Sequence, residues 1–134
     1  RQQLHIALGR LGMEPSTFSL IHADLNSDNI VFDNGKLAMI DFDDVAYGWH
    51  MYDIATALFE HQNHPDFVSL RTALFDGYRE HRPLGEREIY SLDMFLLIRG
   101  LALIGWFHQR PEHDEPQYLG ELKDAICAGC ERLY

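Results

Sequence analysis

Asp24, Asn29 and Asp41 are three oxygen-bearing side chains that lie close together in the sequence. A carboxylate can orient a hydroxyl group and accept its proton, which is the role that we predict for Asp24. Carboxylate and amide oxygens are the ligands that Mg²⁺ prefers, so Asn29 and Asp41 are the predicted metal ligands. His22, just before Asp24, is predicted to hold the loop by hydrogen bonds rather than to act as a base.

Two short apolar segments predict how these residues come together. Residues 30–32 and 37–40 favour strands, and Asn34-Gly35 between them is typical of a type I′ hairpin turn. Such a hairpin would bring Asn29, at the start of the first strand, near Asp41, which follows the second. A further short strand is predicted at residues 18–21, leading into His22.

The rest of the chain is predicted to be helical. The pattern of apolar residues indicates helices over about 2–12, 51–61, 66–81, 86–109 and 117–133, with Pro65, Pro83 and Pro111 at the junctions. The expected fold class is α+β but mainly α, with a short β-hairpin against a helical bundle. A length of 134 residues fits a single domain, residues 1–134.

The spacing of the polar residues resembles that of a known group of enzymes. His22-Ala23-Asp24 followed by Asn29 has the form H-x-D-x-x-x-x-N of the protein-kinase catalytic loop, and Ile40-Asp41-Phe42 stands where those kinases have D-F-G. With Gly48 and Asp53-Ile54-Ala55 the pattern is similar to the aminoglycoside phosphotransferase family, which includes choline kinase and homoserine kinase. The chain resembles that family's C-terminal lobe, which has a protein-kinase-like fold.

The resemblance implies roles for individual residues. Asp24 would be the catalytic base, Asn29 and Asp41 would bind magnesium and the phosphates of ATP, and Asp53 would brace the catalytic loop. Asp43 is a further candidate for the metal or for a cationic substrate, although a solvated acidic turn is the alternative. The acceptor would be a hydroxyl group on a small molecule. Ala23 replaces the family's usual glycine, a small change unless the backbone there has a positive φ.

Parts of a complete kinase are not found before the motif. No glycine-rich loop and no strand-borne lysine precede His22, and in kinases these groups hold the nucleotide phosphates. We therefore expect the N-terminal nucleotide-binding lobe to be absent from this chain. The chain would need its own N-terminal lobe, and the fragment alone would be inactive.

Charge and hydropathy restrict the partners. A net charge of −10 argues against nucleic acid and would suit a cationic substrate, although an acidic surface that serves solubility is the alternative. The longest apolar run, residues 94–107, is too short for a membrane span and contains Arg99. No export signal is evident, so we expect a cytoplasmic protein. Arg99 requires a carboxylate partner elsewhere in the chain, a hydrated pocket or a substrate anion, because a buried unpaired charge is costly.

Two other functions compete with the kinase hypothesis. A metal-dependent hydrolase could use His22, Asp24, Asp41 and Asp43 as a carboxylate-rich site, but Asn29 would then have no role. A non-catalytic, pseudokinase-like binding module is the second alternative. The presence of Asp24, Asn29 and Asp41 together argues against it.

Overall fold

A computed structural model of the protein describes residues 2–113 and 115–133. The helices are α1 (Gln2–Leu11), α2 (His50–Phe59), α3 (Phe67–Arg79), α4 (Glu86–Tyr90), α5 (Leu92–Gln109) and α6 (Pro116–Leu133). The strands are β1 (Phe18–Ile21), β2 (Ile30–Asp33), β3 (Lys36–Met39) and β4 (Ala46–Trp49). The fold is therefore α+β and mainly α, as predicted.

The predicted hairpin is formed by β2 and β3. The strands are antiparallel, with Ile30 opposite Met39 and Asp33 opposite Lys36. Asn34 and Gly35 have φ values of 48° and 77°, the positive pair that a type I′ turn requires. Most of the hairpin is exposed to solvent, so its register depends on the turn more than on packing against the helices.

A second two-stranded sheet was not predicted from the sequence. β4 pairs antiparallel with β1, with Ser19 opposite Gly48. A Cβ at Gly48 would lie 2.4 Å from Cδ1 of Ile21, so the glycine makes room for a buried side chain on β1. Because β4 is short and contains Gly48, its sequence shows no recognisable strand pattern. Because Phe18 pairs with Trp49, this sheet holds the start of α2 beside the start of β1.

The helix predicted over residues 86–109 is in fact two helices. Ser91 separates α4 from α5, and its hydroxyl donates to the carbonyl oxygen of Glu88 at 2.6 Å. This local bond competes with the regular hydrogen bonds of a helix, which explains the break. The other predicted helices agree with the structure to within a few residues at each end.

The core lies between α2 and α5, and it also receives side chains from α3 and α4. Met51, Ile54 and Leu58 of α2 are buried with Leu92 and Phe95 of α5. A smaller apolar cluster joins α5 to α6 through the side chains of Leu97, Leu122 and Ile126. Within the described ranges, the helices are all too short or too polar to cross a membrane.

Trp49 belongs to this core. Its indole ring packs against Phe95, and its Nε1 donates to the carbonyl oxygen of Gly12 at 2.8 Å. Trp106, by contrast, is 38% exposed and forms no part of the buried clusters.

Candidate active site

The loop between β1 and β2 carries Asp24 and Asn29 and is organised by Asn26. The Asn26 side-chain oxygen accepts from the backbone N–H groups of Asp28 and Asn29, which caps the 3-10 turn Ser27–Asn29. The Asn26 amide also donates to Oδ2 of Asp24 at 3.2 Å. Asn26 is thus an organising residue that sequence reasoning missed, because asparagine is an ordinary turn residue.

Asp24 is surrounded by hydrogen-bond donors. Asn29 Nδ2 donates to the Asp24 carbonyl oxygen at 2.9 Å and to Oδ2 at 3.2 Å. Arg99 Nη2 donates to Oδ1 at 2.6 Å. Asp24 and Asn29 therefore lie together, and the carboxylate is held in one orientation.

Asp53, at the start of α2, holds the beginning of the loop. Its Oδ2 accepts from the backbone N–H of His22 and its Oδ1 from that of Ala23, both at 2.8 Å. Ala23 has a φ of 66°, the left-handed region that favours glycine. The condition under which the glycine-to-alanine change would be small is therefore not met, and the two hydrogen bonds to Asp53 must hold a strained residue in place.

His22 is buried, with 5% of its surface exposed, and connects the loop to the Asp41 segment, which we define as residues 40–45. Its Nε2 lies 2.8 Å from the carbonyl oxygen of Ile40. A carbonyl oxygen only accepts, so Nε2 carries the proton and donates. The ring also stacks against Phe42, with 4.6 Å between centroids. These contacts give His22 the geometry of a structural residue.

Asn29 and the Asp41 segment are joined through the backbone. Ile40 N–H donates to the Asn29 carbonyl oxygen at 3.0 Å. The Asn29 amide hydrogens are directed at Asp24, which leaves its Oδ1 as the atom that could bind a cation. Asp41 is exposed, with a φ of 60°, and its carboxylate is accessible to a ligand. One amide and one carboxylate oxygen fit Mg²⁺, which usually takes one or two protein ligands and fills the rest with phosphates and water.

Asp43, the additional metal candidate, is exposed on the same segment. Across residues 2–113 and 115–133 no three His, Cys, Asp or Glu side chains are placed to hold a metal ion together. The bonds already described also engage two of the four residues that the hydrolase alternative would use, His22 and Asp24. His22 Nε2 is bonded to Ile40, and both Asp24 oxygens face donors, one of them a guanidinium.

Arg99 is the site residue whose role the sequence did not reveal. The sequence signal was a single charge inside an apolar helix, which required a partner. That partner is Asp24, 75 positions away in the chain, and no local spacing could have identified it. The neighbouring Gly100 allows close packing of α5 on α6, since a Cβ there would lie 2.8 Å from Cδ1 of Ile126.

Charged and aromatic groups of α2 and α6 extend the site beyond Arg99. Glu60, at the end of α2, accepts a hydrogen bond from Ser27 Oγ in the loop at 3.1 Å. Burial raises the pKa of Tyr118 above its ordinary value, the Glu60 carboxylate raises it further, and Arg99 opposes the shift. Glu60, Arg99 and Tyr118 therefore share one electrostatic environment next to Asp24.

The helical lobe and its loop are those of a protein-kinase-like fold. The chain belongs to the phosphotransferase enzyme family, whose pattern it matches over residues 1–88. The resemblance of the loop to aminoglycoside-phosphotransferase-type enzymes is confirmed by this match.

The similar curated proteins are small-molecule kinases. The amicoumacin kinase of Bacillus subtilis is 28% identical, over 93% of this chain and 39% of its own length. A homoserine kinase of Bartonella henselae is 35% identical, over 69% of this chain and 32% of its own length. The chain thus spans well under half the length of the curated relatives it matches.

Two solved structures have a similar fold, each with a TM-score of 0.77. A microcompartment-associated aminopropanol kinase is 28% identical, over 96% of this chain and 40% of the other. The amicoumacin kinase hAmiN, solved in complex with AMP-PNP, Ca²⁺ and Ami, is 24% identical, over 93% of this chain and 42% of the other. The second likeness concerns the fold alone.

Proposed function

We propose that this chain is the catalytic lobe of an ATP- and Mg²⁺-dependent kinase that phosphorylates a hydroxyl group on a small molecule. The observation that carries the proposal is the arrangement of Asp24, Asn29 and residue 40. Asn29 donates to Asp24 through its side chain and accepts from Ile40 N–H through its backbone, so the candidate base and the candidate metal ligands belong to one connected unit.

Asp24 is the general base in this proposal. It accepts the proton of the acceptor hydroxyl while the acceptor oxygen forms a bond to the γ-phosphorus. The bond between the γ-phosphorus and the bridging oxygen breaks, and its electron pair leaves with the nucleoside diphosphate. The fixed orientation of Asp24 supports this role, because phosphoryl transfer depends mainly on positioning.

Asn29 Oδ1 and the Asp41 carboxylate would hold the metal, with Asp43 as a further ligand on the same segment. When bound, Mg²⁺ would offset the charge of the phosphate oxygens. His22 and Asp53 do not contact substrate in this proposal. They hold the backbone next to the two site residues. Asp53 accepts from the N–H of His22 just before Asp24, and His22 donates to the carbonyl oxygen of Ile40 just before Asp41.

The proposed acceptor is a small alcohol that also carries an amino group. Homoserine and aminopropanol, after which two of the similar kinases are named, both have a hydroxyl and an amine. The net charge of −10 and the exposed Glu60 beside the loop would favour a cationic acceptor. We expect no nucleic-acid partner and a cytoplasmic location.

We further propose that the nucleotide is held jointly with an N-terminal lobe of the same protein, and that the 134 residues here form one domain. The hairpin supports this arrangement because its apolar side chains are unusually exposed: Val31, Phe32, Leu37 and Met39 are at 43%, 72%, 64% and 50%. A neighbouring lobe would cover these side chains.

The test is Asp24→Asn in the full-length protein, assayed with MgATP and a panel of amino alcohols. We expect kcat to fall by about 10²–10⁴-fold, the usual contribution of a general base. MgATP affinity, measured by titration calorimetry, should change little. Asp28→Asn is the matched control, because Asp28 lies in the same loop with an exposed side chain.

Near-normal turnover in Asp24→Asn would show that Asp24 is not the base. Loss of turnover in Asp28→Asn to the same extent would mean that the loop is merely sensitive to charge. If the unaltered protein transfers the phosphoryl group to none of the alcohols and instead hydrolyses esters, the result would favour a hydrolase.

A further inference from the structure

Arg99 is a partly buried cation paired with the candidate base. The two side chains are 12% and 25% exposed, and the distance from Arg99 Nη2 to Asp24 Oδ1 is 2.6 Å. The pair between Arg79 and Asp76 is a surface contact in comparison, with side chains 44% and 66% exposed and a distance of 3.4 Å. The Arg99 pair is therefore shorter and less accessible to water, where charges interact more strongly.

The hydrogen bonds around Asp24 determine which of its oxygens is available. An ionised carboxylate has about four lone-pair positions, two on each oxygen. Amide hydrogens of Asn26 and Asn29 both point at Oδ2, each at 3.2 Å. Arg99 takes one position on Oδ1. The remaining lone pair is on Oδ1, so the acceptor hydroxyl has to bind there, directly beside the guanidinium.

Extending the proposed function, on which this inference rests, we propose that Arg99 is a positioning residue that directs proton transfer to Oδ1 of Asp24. It fixes the carboxylate so that the open lone pair faces the acceptor. The acceptor proton moves to Oδ1 as the acceptor oxygen bonds to the γ-phosphorus, and the nucleoside diphosphate leaves with the electron pair of the broken bond. Arg99 neither donates nor accepts that proton.

The surroundings of Arg99 suit a role in positioning. Its buried Nε has no hydrogen-bond partner within the described part of the chain, so the contact with Asp24 is the interaction that orients the guanidinium. The backbone that carries it is packed against α6, because the adjacent Gly100 lies close to Ile126. A buried ion pair often adds little net stability, because removing its charges from water is costly. A functional role therefore explains the pairing of Arg99 with Asp24 better than a gain in stability does.

The experiment compares Arg99→Met, Arg99→Lys and Arg99→Ala in the full-length protein. We expect Arg99→Met to lower kcat by about 100-fold, the effect of misplacing a catalytic group by roughly 1 Å. The KM for MgATP should stay within about twofold, because Arg99 is not in the metal site. Arg99→Lys keeps the charge and should recover part of kcat, and added guanidinium should partly restore Arg99→Ala. Arg79→Met, which removes the surface pair, is the matched control and should leave kcat unchanged.

Each outcome bears on the proposal. A kcat within about threefold of the unaltered enzyme in Arg99→Met would overturn it. So would a loss that neither Lys nor guanidinium relieves, since that pattern, with a lowered Tm, assigns Arg99 to folding. If Arg99→Met does not fold, Arg99→Lys decides: reduced kcat at unchanged nucleotide KM supports the proposal, and full kcat contradicts it.

The failure of the proposed function would look different. If Asp24→Asn keeps its turnover, the general-base role is wrong whatever Arg99 does. If Asp24→Asn is inactive and Arg99→Met is fully active, only the positioning role is wrong. In the double variant, Arg99→Met should add little to the loss caused by Asp24→Asn, because both changes affect one proton transfer.

Discussion

The His22–Asn29 loop and the Asp41 segment carry the two halves of the candidate site, but the protein holds them in different ways. Within the loop, the Asp24 carboxylate is bonded to two amides and a guanidinium. The backbone N–H groups of His22 and Ala23 donate to Asp53. In the Asp41 segment, the backbone of Ile40 is bonded to the loop, while the side chains of Asp41 and Asp43 are exposed. The protein fixes the base together with Asn29, and it leaves the side chains of Asp41 and Asp43 exposed.

This difference corresponds to the chemistry that we propose for each region. A base must be in place before the acceptor binds, because a misplaced proton acceptor slows the chemical step. A charged metal ligand such as Asp41 can take its final position when the metal and phosphates arrive, and burying its carboxylate in advance would add a desolvation cost. Substitutions in the loop should accordingly lower the stability of the fold. Substitutions in the Asp41 segment should mainly weaken ligand binding.

The largest effect on stability is expected from Asp53→Asn. An asparagine keeps one oxygen but turns an N–H donor towards the backbone N–H of His22 or Ala23, so one charge-assisted bond is lost and a buried donor is left unpaired. We expect the free energy of unfolding to fall by about 2–4 kcal/mol, measured by urea unfolding. Asp66→Asn is the control, since its side chain is exposed and makes no cap bond. A change below about 0.5 kcal/mol would show that Asp53 does not brace the loop.

Asn29→Ala and Asp41→Ala compare the two regions directly. Asn29→Ala removes bonds to Asp24 as well as the proposed metal ligand, so stability should fall by about 1–2 kcal/mol and MgATP affinity should drop as well. Asp41→Ala should weaken MgATP binding by tenfold or more and lower stability by less than about 1 kcal/mol, because aspartate suits the φ of 60° only moderately better than alanine does. Titration calorimetry and urea unfolding provide the two measurements. The comparison fails if Asp41→Ala destabilises the fold as much as Asn29→Ala does.

Ala23→Gly should stabilise the protein. Alanine at a φ of 66° costs about 1–2 kcal/mol relative to its preferred regions, and glycine avoids that cost at a smaller entropic penalty. We expect a gain of about 1 kcal/mol in the free energy of unfolding. Ala38→Gly, in the exposed strand β3, should do the opposite and lose about 0.5–1 kcal/mol. A loss in both variants would mean that Ala23 is not strained.

The loop and hairpin were predictable from the sequence because their signals are local. Asn34-Gly35 specifies its turn by backbone preference, and Asp24 and Asn29 are brought together by the short turn between them. The helices were predictable for the same reason, since an apolar period reports one buried face. Their ends were less so, and the break at Ser91 depends on one side-chain bond.

The missed features depend on contacts between distant residues. From the sequence alone, any carboxylate could have been the partner of Arg99. Only the packed structure, which brings Arg99 of α5 to the loop, identifies that partner as Asp24. β4 exists because β1 is available to pair with it, although Gly48 is a poor strand residue by preference. The positive φ of Ala23 follows from the two bonds to Asp53, 30 or more positions away. Sequence spacing describes what one segment prefers, and these features arise where one segment constrains another.

The smallest effect on the free energy of unfolding is expected from lowering the pH. This effect tests whether the contact between α2 and β1 also helps to hold the loop that follows β1. His50 is buried at the start of α2 and shares a hydrogen bond of 2.7 Å with Ser19 of β1. Burial lowers the pKa of His50 below its usual 6.5, and Arg82 acts in the same direction. The unfolded chain therefore takes up this proton at a higher pH than the folded protein does.

It follows that the contribution of His50 to stability is complete above pH 6.5 and decreases as the pH falls from 6.5 towards the lowered pKa of the folded state. His50→Gln cannot take up this proton, so its free energy of unfolding should decline less over that range, as measured by urea unfolding at a series of pH values. His81→Gln, which alters an exposed histidine, should keep the slope of the unaltered protein. Equal slopes in all three proteins would mean that His50 is hydrated in the folded state, and that the β1–β4 sheet holds the loop without help from this contact.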